Sequence, residues 1–145
     1  TGRLLGAADR LDTLAGLFGV GELPSGSRDP HGLRRAGQAL VKIVAEAGWE
    51  LDLGAAIERA VGLVADRIDG APAEVTAAVG DFLAERVRRY LIDVVGVAFD
   101  TADAVMAAIV GAAGRIVAQD RAASVIVLDP AFGADSAAVN SFSEA

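Results

Sequence analysis

Apolar residues recur at helical spacing in five successive segments of the chain, and turn-forming residues separate these segments. The first repeat predicts a helix over about 4–18, which ends at the glycines of residues 19–21, where a left-handed backbone commonly follows a helix. Residues 22–28 are rich in Pro, Gly and Ser and predict a loop. The apolar residues that define the first helix are Leu4, Ala8, Leu11, Leu14, Ala15 and Phe18.

The second and third repeats predict two further helices. Asp29 is a capping residue and Pro30 suits the first helical position, so the second helix is expected from there to about residue 47, with Gly48 ending it. Asp52 is expected to cap the third helix, and residues 69–72 predict a turn after it. The apolar face of the third helix comprises Leu53, Ile57, Val61, Val64 and Ile68.

The fourth repeat predicts a helix over about 73–94, and the fifth predicts one that Asp100 or Thr101 caps and that extends to about residue 117. Periodicity alone leaves residues 124–128 as either a short strand or the end of a buried helix, and a helix is possible over 135–145. The predicted inward residues are Val75, Val79, Phe82, Val87, Tyr90 and Val94 in the fourth helix and Ala104, Val105, Ala108 and Ile109 in the fifth.

These elements predict an all-α protein, an irregular bundle of five to seven helices. Residues 1–118 form the predicted helical domain, and residues 119–145 are a poorly predicted C-terminal segment. Just over half of the 145 residues are apolar, with few aromatics, and such a composition favours helices and supplies a core. The chain starts at Thr1, and we expect it to be an internal piece of a larger protein.

The composition excludes several classes of site. Without cysteine there is no disulfide or thiolate metal site, and with His31 as the one histidine a His/Cys zinc site is excluded. The longest uncharged apolar run, residues 104–114, is too short to span a membrane, and no signal peptide pattern is visible, so a cytoplasmic protein is expected. The net charge of −7 disfavours non-specific nucleic-acid binding.

The second predicted helix has the sharpest charge pattern. Residues 1–48 hold six basic and five acidic residues, whereas the remainder holds seven and fifteen, so a polyanion contact is expected in the first third. At about 100° per residue one face of this helix combines three cations with a histidine and an amide, and Arg28 lies in the loop before it. Guanidinium groups bind phosphates through two parallel N–H donors, so this face is a candidate phosphate-binding surface. The alternative interpretation is an ordinary charged helix face that contacts only solvent. The residues of this face are His31, Arg34, Arg35, Gln38 and Lys42, with Glu46 at its far end.

Two other charged groups are interpreted as structural. Asp9 and Asp12 are neighbours on the first helix, but one or two carboxylates do not make a metal site, so no metal site is predicted and Asp9 is only a weak candidate ligand. Residues 85–89, Glu-Arg-Val-Arg-Arg, could touch nucleic acid. However, Arg89 is four residues from both Glu85 and Asp93, and we favour ion pairs within the helix.

Residues 8–36 resemble one family over nearly thirty positions. The sequence reads ADRLDTLAGLF over 8–18, PSGSRDP over 24–30 and LRRA over 33–36, and it is similar to the beta subunit of bacterial glycyl-tRNA synthetase. Arg10 and Arg28 replace the usual lysines, Ser25 replaces threonine, and His31 with Gly32 replaces Phe-Ala. The match thins after residue 36 and is not recognisable beyond about Gly111.

The resemblance implies a segment that supports or contacts tRNA(Gly) while glycine is attached to it at the expense of ATP. It implies a partner alpha subunit that carries the chemistry, ATP and Mg²⁺ as requirements of the whole enzyme, no cofactor in this fragment, and no activity of the fragment alone. It also places the chain between an HD-like helical region, in which Asp9 would be the last metal ligand, and an anticodon-binding domain that is absent here. The tRNA-binding residues we expect are Arg28, Arg34, Arg35 and Lys42.

Two other functions stay open from the sequence. One is a truncated HD-type metal-dependent phosphohydrolase domain, whose metal-binding histidines would have to lie upstream of Thr1. The other is a purely scaffolding helical module without a tRNA contact.

Overall fold

Helices dominate the computed structural model, which describes residues 1–49, 51–116 and 125–126. The prediction of an all-α bundle is confirmed within these residues. A π-helical turn, Leu91–Val95, directly continues the fourth helix, and Gly96 follows it with a positive φ of 79°. The helices are α1 (Gly2–Gly19), α2 (Leu33–Ala47), α3 (Leu53–Leu63), α4 (Pro72–Tyr90) and α5 (Phe99–Ile116).

A two-residue antiparallel ladder accompanies the helices. Its strands are β1 (Leu51–Asp52) and β2 (Val125–Ile126), with Leu51 opposite Ile126 and Asp52 opposite Val125. The strand alternative for this part of the C-terminal segment is therefore correct. The helix predicted over 135–145 lies outside the described residues.

The start of α2 differs from the sequence prediction. The helix begins at Leu33 rather than at Pro30, because residues 30–32 form a turn in which Gly32 adopts a left-handed φ of 65°. Asp29 nevertheless satisfies the helix terminus: its Oδ1 accepts a hydrogen bond from the Leu33 N–H at 2.8 Å and its Oδ2 accepts one from the Arg34 N–H at 3.1 Å. The predicted capping residue is thus confirmed, although it acts across a turn instead of from the adjacent position.

The third helix is shorter than its apolar repeat suggested. Asp52 caps it as predicted, with its Oδ1 accepting from the Ala55 N–H at 2.8 Å. The helix then ends at Leu63, so Val64 and Ile68 lie in the following turns. Ile68 still packs against the core, where its side chain covers Gly19 at the end of α1. The apolar repeat of the third helix therefore identified core-packing residues, Val64 and Ile68, that lie beyond the end of α3 at Leu63.

The main core lies between α1, α2, α3 and α4, and a smaller one joins α2 and α4 to α5. Leu83 is fully buried in the main core, although it was absent from the predicted inward face, and Val94, predicted inward, is 63% exposed in the π-helical turn. In the part of α5 whose side chains are described, Ala102 and Met106 are buried and Ala104 is exposed. The inward position predicted for Ala104 is therefore wrong, whereas Val105 packs against the smaller core as predicted. The largest fully buried residues of the main core are Leu14, Leu33, Val61, Val79 and Leu83.

None of the helices in the described part of the chain combines the length and apolar character that crossing a membrane requires.

Candidate nucleic-acid interface

The loop before α2 is a defined turn. Ser25 and Arg28 exchange two backbone hydrogen bonds, from Ser25 N–H to Arg28 O at 3.1 Å and from Arg28 N–H to Ser25 O at 2.8 Å. Gly26 has a φ of 53° at the tip, a conformation that glycine adopts without strain. The segment predicted as a loop therefore contains a hydrogen-bonded turn between Ser25 and Arg28.

Arg34 holds this turn to α2. Its Nη2 donates to the carbonyl oxygen of Gly26 at 2.6 Å, and its Nη1 lies 3.5 Å from the carbonyl oxygen of Arg28. The side chain is half-buried, and its partners are neutral. Arg34 therefore fixes the turn in space while its positive charge stays uncompensated by these contacts.

Arg28 and Arg35 are exposed, and neither has a carboxylate within ion-pair distance among the described residues. The Arg35 guanidinium folds over Gly32, where an added Cβ would lie 3.2 Å from its Nη2. Lys42 differs, since its Nζ is 3.6 Å from Glu46 Oε1 and both side chains are exposed. Glu46, which the sequence placed at the far end of this face, thus pairs with Lys42 and leaves Arg28, Arg34 and Arg35 without a carboxylate partner among the described residues.

His31 is not part of the helix face. It precedes α2, and its Nε2 lies 3.3 Å from Glu22 Oε2. The predicted position of His31 on the cationic helix face is wrong, because the turn over 30–32 directs it back to the loop. The helix face thus begins with Arg34 and Arg35.

Two of the three arginines over 86–89 are paired with acids. Arg89 Nε is 3.5 Å from Glu85 Oε1, which confirms one of the two predicted pairs, whereas among the described residues no ion pair joins Arg89 to Asp93. Arg88 Nε donates to Asp103 Oδ1 at 2.6 Å, and this hydrogen bond raises the pKa of Arg88. The Arg88 guanidinium also lies 4.3 Å from the ring centroid of Phe99. Arg88 thus joins α4 to α5, whereas the ion pair of Arg89 stays within α4.

Arg86 has no such partner. Its guanidinium lies 4.0 Å from the centroid of the Phe82 ring, and its Nη1 donates to the Phe82 carbonyl oxygen at 3.3 Å. Its Nε is buried without a hydrogen-bond partner in the described part of the chain. The sequence contained a signal for this, because the residues four before and four after Arg86 are Phe82 and Tyr90, whereas Arg89 has acids at both positions.

Burial sets the electrostatics of Arg86. Loss of hydration lowers the pKa of its guanidinium, and the charges of Arg89 and Arg34 lower it further. Glu85 and Asp29 act in the opposite direction. The stem of Arg86 lies against α2 at Gly37, where an added Cβ would be 3.4 Å from the Arg86 Cγ. Gly37 follows Arg34 by about one helical turn, so Arg86, although on α4, lies near the predicted tRNA-binding residues of α2.

The acidic pair on α1 has no further ligand set. Asp9 and Asp12 are exposed, and the Asp9 backbone carbonyl accepts a hydrogen bond from Thr13 Oγ1 at 2.8 Å. Within the described residues, no three His, Asp or Glu side chains converge as a metal site would require. That Asp9 holds no metal stays a prediction.

Comparison with known proteins identifies the family. The glycyl-tRNA synthetase beta subunit family matches residues 1–107. The glycine–tRNA ligase beta subunit of Ectopseudomonas mendocina is 44% identical over 90 residues, which are 61% of this chain and 13% of that protein. Its counterpart in Desulfitobacterium hafniense is 39% identical over 109 residues, 74% of this chain and 16% of that protein. This chain therefore spans only a small part of these relatives, and it belongs to the glycyl-tRNA synthetase beta subunit family.

Proposed function

We propose that this chain contacts tRNA through the surface formed by the turn over 25–28 and the first half of α2. The residues concerned are Arg28, Arg34, Arg35 and, at the far end, Lys42. The observation that carries the proposal is that Arg28 and Arg35 are exposed without a carboxylate partner in the described residues, beside a turn that Arg34 fixes. Fixed guanidinium groups suit phosphate because their planar N–H forks bind its oxygens with little loss of conformational freedom.

The whole protein is proposed to attach glycine to tRNA(Gly) with ATP and Mg²⁺, in a hetero-oligomer of alpha and beta subunits in the cytoplasm. The family assignment supports this, since the relatives are beta subunits of glycine–tRNA ligase. The nucleotide chemistry is assigned to the alpha subunit, so this chain needs no cofactor and is inactive alone. Its contribution is to hold the tRNA.

The test uses the full-length beta subunit assembled with its alpha subunit. The double variant R34A/R35A should weaken tRNA binding and flatten the dependence of log Kd on log salt concentration by about one unit per lost phosphate contact, because each contact releases counterions. ATP-dependent activation of glycine without tRNA should stay unchanged.

The matched control is R88A/R89A, which removes the same charge from two arginines that are paired with acids. It should leave the salt slope near that of the wild type. If R34A/R35A binds tRNA with the wild-type affinity and slope, the surface is a solvated helix face and the chain is a scaffolding module.

A further inference from the structure

The three arginines near the end of α4 differ in what compensates their charge. Arg88 and Arg89 each lie beside a carboxylate, Asp103 and Glu85 respectively. Arg86 has none within ion-pair distance in the described part of the chain, and its buried Nε has no hydrogen-bond partner there. A half-buried cation without a counter-charge costs stability, which indicates that a ligand supplies the missing anion.

We propose that Arg86 is a phosphate contact that extends the tRNA surface from α2 onto α4, where a backbone phosphate lies between Arg34 and Arg86. This inference rests on the proposed function, and it adds a residue that the sequence assigned to structural pairing. It also means that two helices, rather than one, define the position of the RNA backbone.

The packing of Arg86 prepares it for this role. Its stem lies against α2 at Gly37, where an added Cβ would approach the Arg86 Cγ to 3.4 Å. Its guanidinium stacks on Phe82, which in turn makes an edge contact with Phe18, with 5.1 Å between ring centroids. A side chain that is held on two sides loses little conformational entropy when it binds, so a phosphate contact here is stronger than one to a free surface arginine.

The acids that face Arg86 are already engaged. Asp29 accepts hydrogen bonds from the N–H groups of Leu33 and Arg34, and Glu85 lies beside Arg89. Neither carboxylate is therefore directed at Arg86 as an ion-pair partner, and both act on it only through space. The two guanidinium groups of Arg34 and Arg86 repel each other, and a phosphate between them would relieve that repulsion.

The test separates stability from binding with the variants R86M and R86Q in the full-length beta subunit with its alpha subunit. Both remove the charge but keep a long side chain over Phe82. We expect the free energy of unfolding to be kept or raised, because an uncompensated half-buried charge disappears. The Kd for tRNA should rise about ten-fold, and the salt slope should fall by about one unit.

The control R89A removes a charge three residues away that Glu85 already compensates. It should change the Kd by no more than about two-fold, because the nearby carboxylate of Glu85 already offsets much of the charge of Arg89. Wild-type affinity and slope in a folded R86M or R86Q would overturn the inference and leave Arg86 as a packing residue. If the Arg86 variants bind like the wild type while R34A/R35A binds tRNA more weakly in the same assay, only the role of Arg86 is overturned. If neither change matters, the proposed tRNA surface fails as well.

A second measurement needs no variant. Phenylglyoxal modifies arginines, and mass spectrometry reports the rate at each position. Saturating tRNA should slow modification of Arg86 and Arg35 relative to Arg89. Equal rates at Arg86 with and without tRNA would contradict the proposal.

Discussion

The cations of α2 and those of α4 are held by different kinds of partner. Near the start of α2, Arg34 donates to two backbone carbonyl oxygens, whereas on α4 Arg88 and Arg89 lie against carboxylates. A carbonyl fixes an arginine and leaves its full charge, while a carboxylate fixes it and cancels the charge. The two arginines of α2 therefore give an electropositive surface, whereas the three of α4 leave most of that helix nearly neutral.

Each helix also has an exception that helps to define the surface. Lys42 lies on the α2 face but is paired with Glu46 at 3.6 Å, and Arg86 lies on α4 without a carboxylate partner in the described residues. The electropositive surface thus follows the contacts of each side chain rather than the helix on which it lies. It runs from the turn over 25–28 across the start of α2 to Arg86.

The largest expected effect concerns the crossing of α2 and α4, which brings these two groups of cations together. Gly37 lies at this crossing, and a Cβ there would be 2.9 Å from Phe82 Cε1 and 3.5 Å from Leu83 Cδ2. We expect Gly37→Ala to be less stable than Gly80→Ala by about 1–3 kcal/mol in urea unfolding, because the added methyl group overpacks the crossing.

Gly80 is the matched control, because it lies in α4 and an added Cβ meets no atom within 4 Å. Gly80→Ala should stabilise the chain by about 0.5–1 kcal/mol, which is the gain of helix propensity that both substitutions share. Equal stabilities of the two variants would show that α2 and α4 lie further apart at Gly37 than these distances indicate. Arg34 and Arg86 would then not share a surface.

The next effect concerns the carboxylate of Asp29, which caps the start of α2. Asp29→Ala removes the acceptors of the Leu33 and Arg34 N–H groups and should destabilise the chain by about 1–2 kcal/mol in urea unfolding. Asp12→Ala removes the same charge from an exposed position on α1 and should change stability by less than about 0.5 kcal/mol. If the two variants are equally stable, the carboxylate of Asp29 does not hold the end of the helix.

The sequence predicted the helices well because each has a strong apolar repeat and a recognisable end. Asp52 caps α3 as expected, and the family resemblance over 8–36 is confirmed by the match over 1–107. The start of α2 was misplaced because Asp29-Pro30 satisfies the usual rule for a helix start, whereas Gly32 allows a left-handed turn that delays the helix. Local rules do not distinguish a capping residue at the terminus from one that reaches it across a turn.

The candidate surface was predictable only in part. Helical spacing placed Arg34, Arg35 and Lys42 on one face, but it could not show that Arg34 donates to Gly26 or that the Arg86 stem packs against α2 at Gly37. Both facts depend on how α2 packs against the turn and against α4, and single-helix periodicity contains no information on such packing.

The smallest effect separates the two roles of Arg34, which are fixing the turn and carrying charge. Arg34→Lys keeps the charge but loses the planar fork that reaches Gly26 O at 2.6 Å and Arg28 O at 3.5 Å. Since these contacts are exposed, we expect a loss of about 0.5–1 kcal/mol, seen as about 2- to 5-fold faster hydrogen exchange at the Arg28 and Ser25 N–H groups that close the turn. Exchange at Ala55, whose N–H bonds to Asp52 in a different helix, serves as the control and should not change. Unchanged exchange at the turn would mean that it holds its shape without Arg34, and the distinction between carbonyl-held and carboxylate-held arginines would then not explain how Arg28 is positioned.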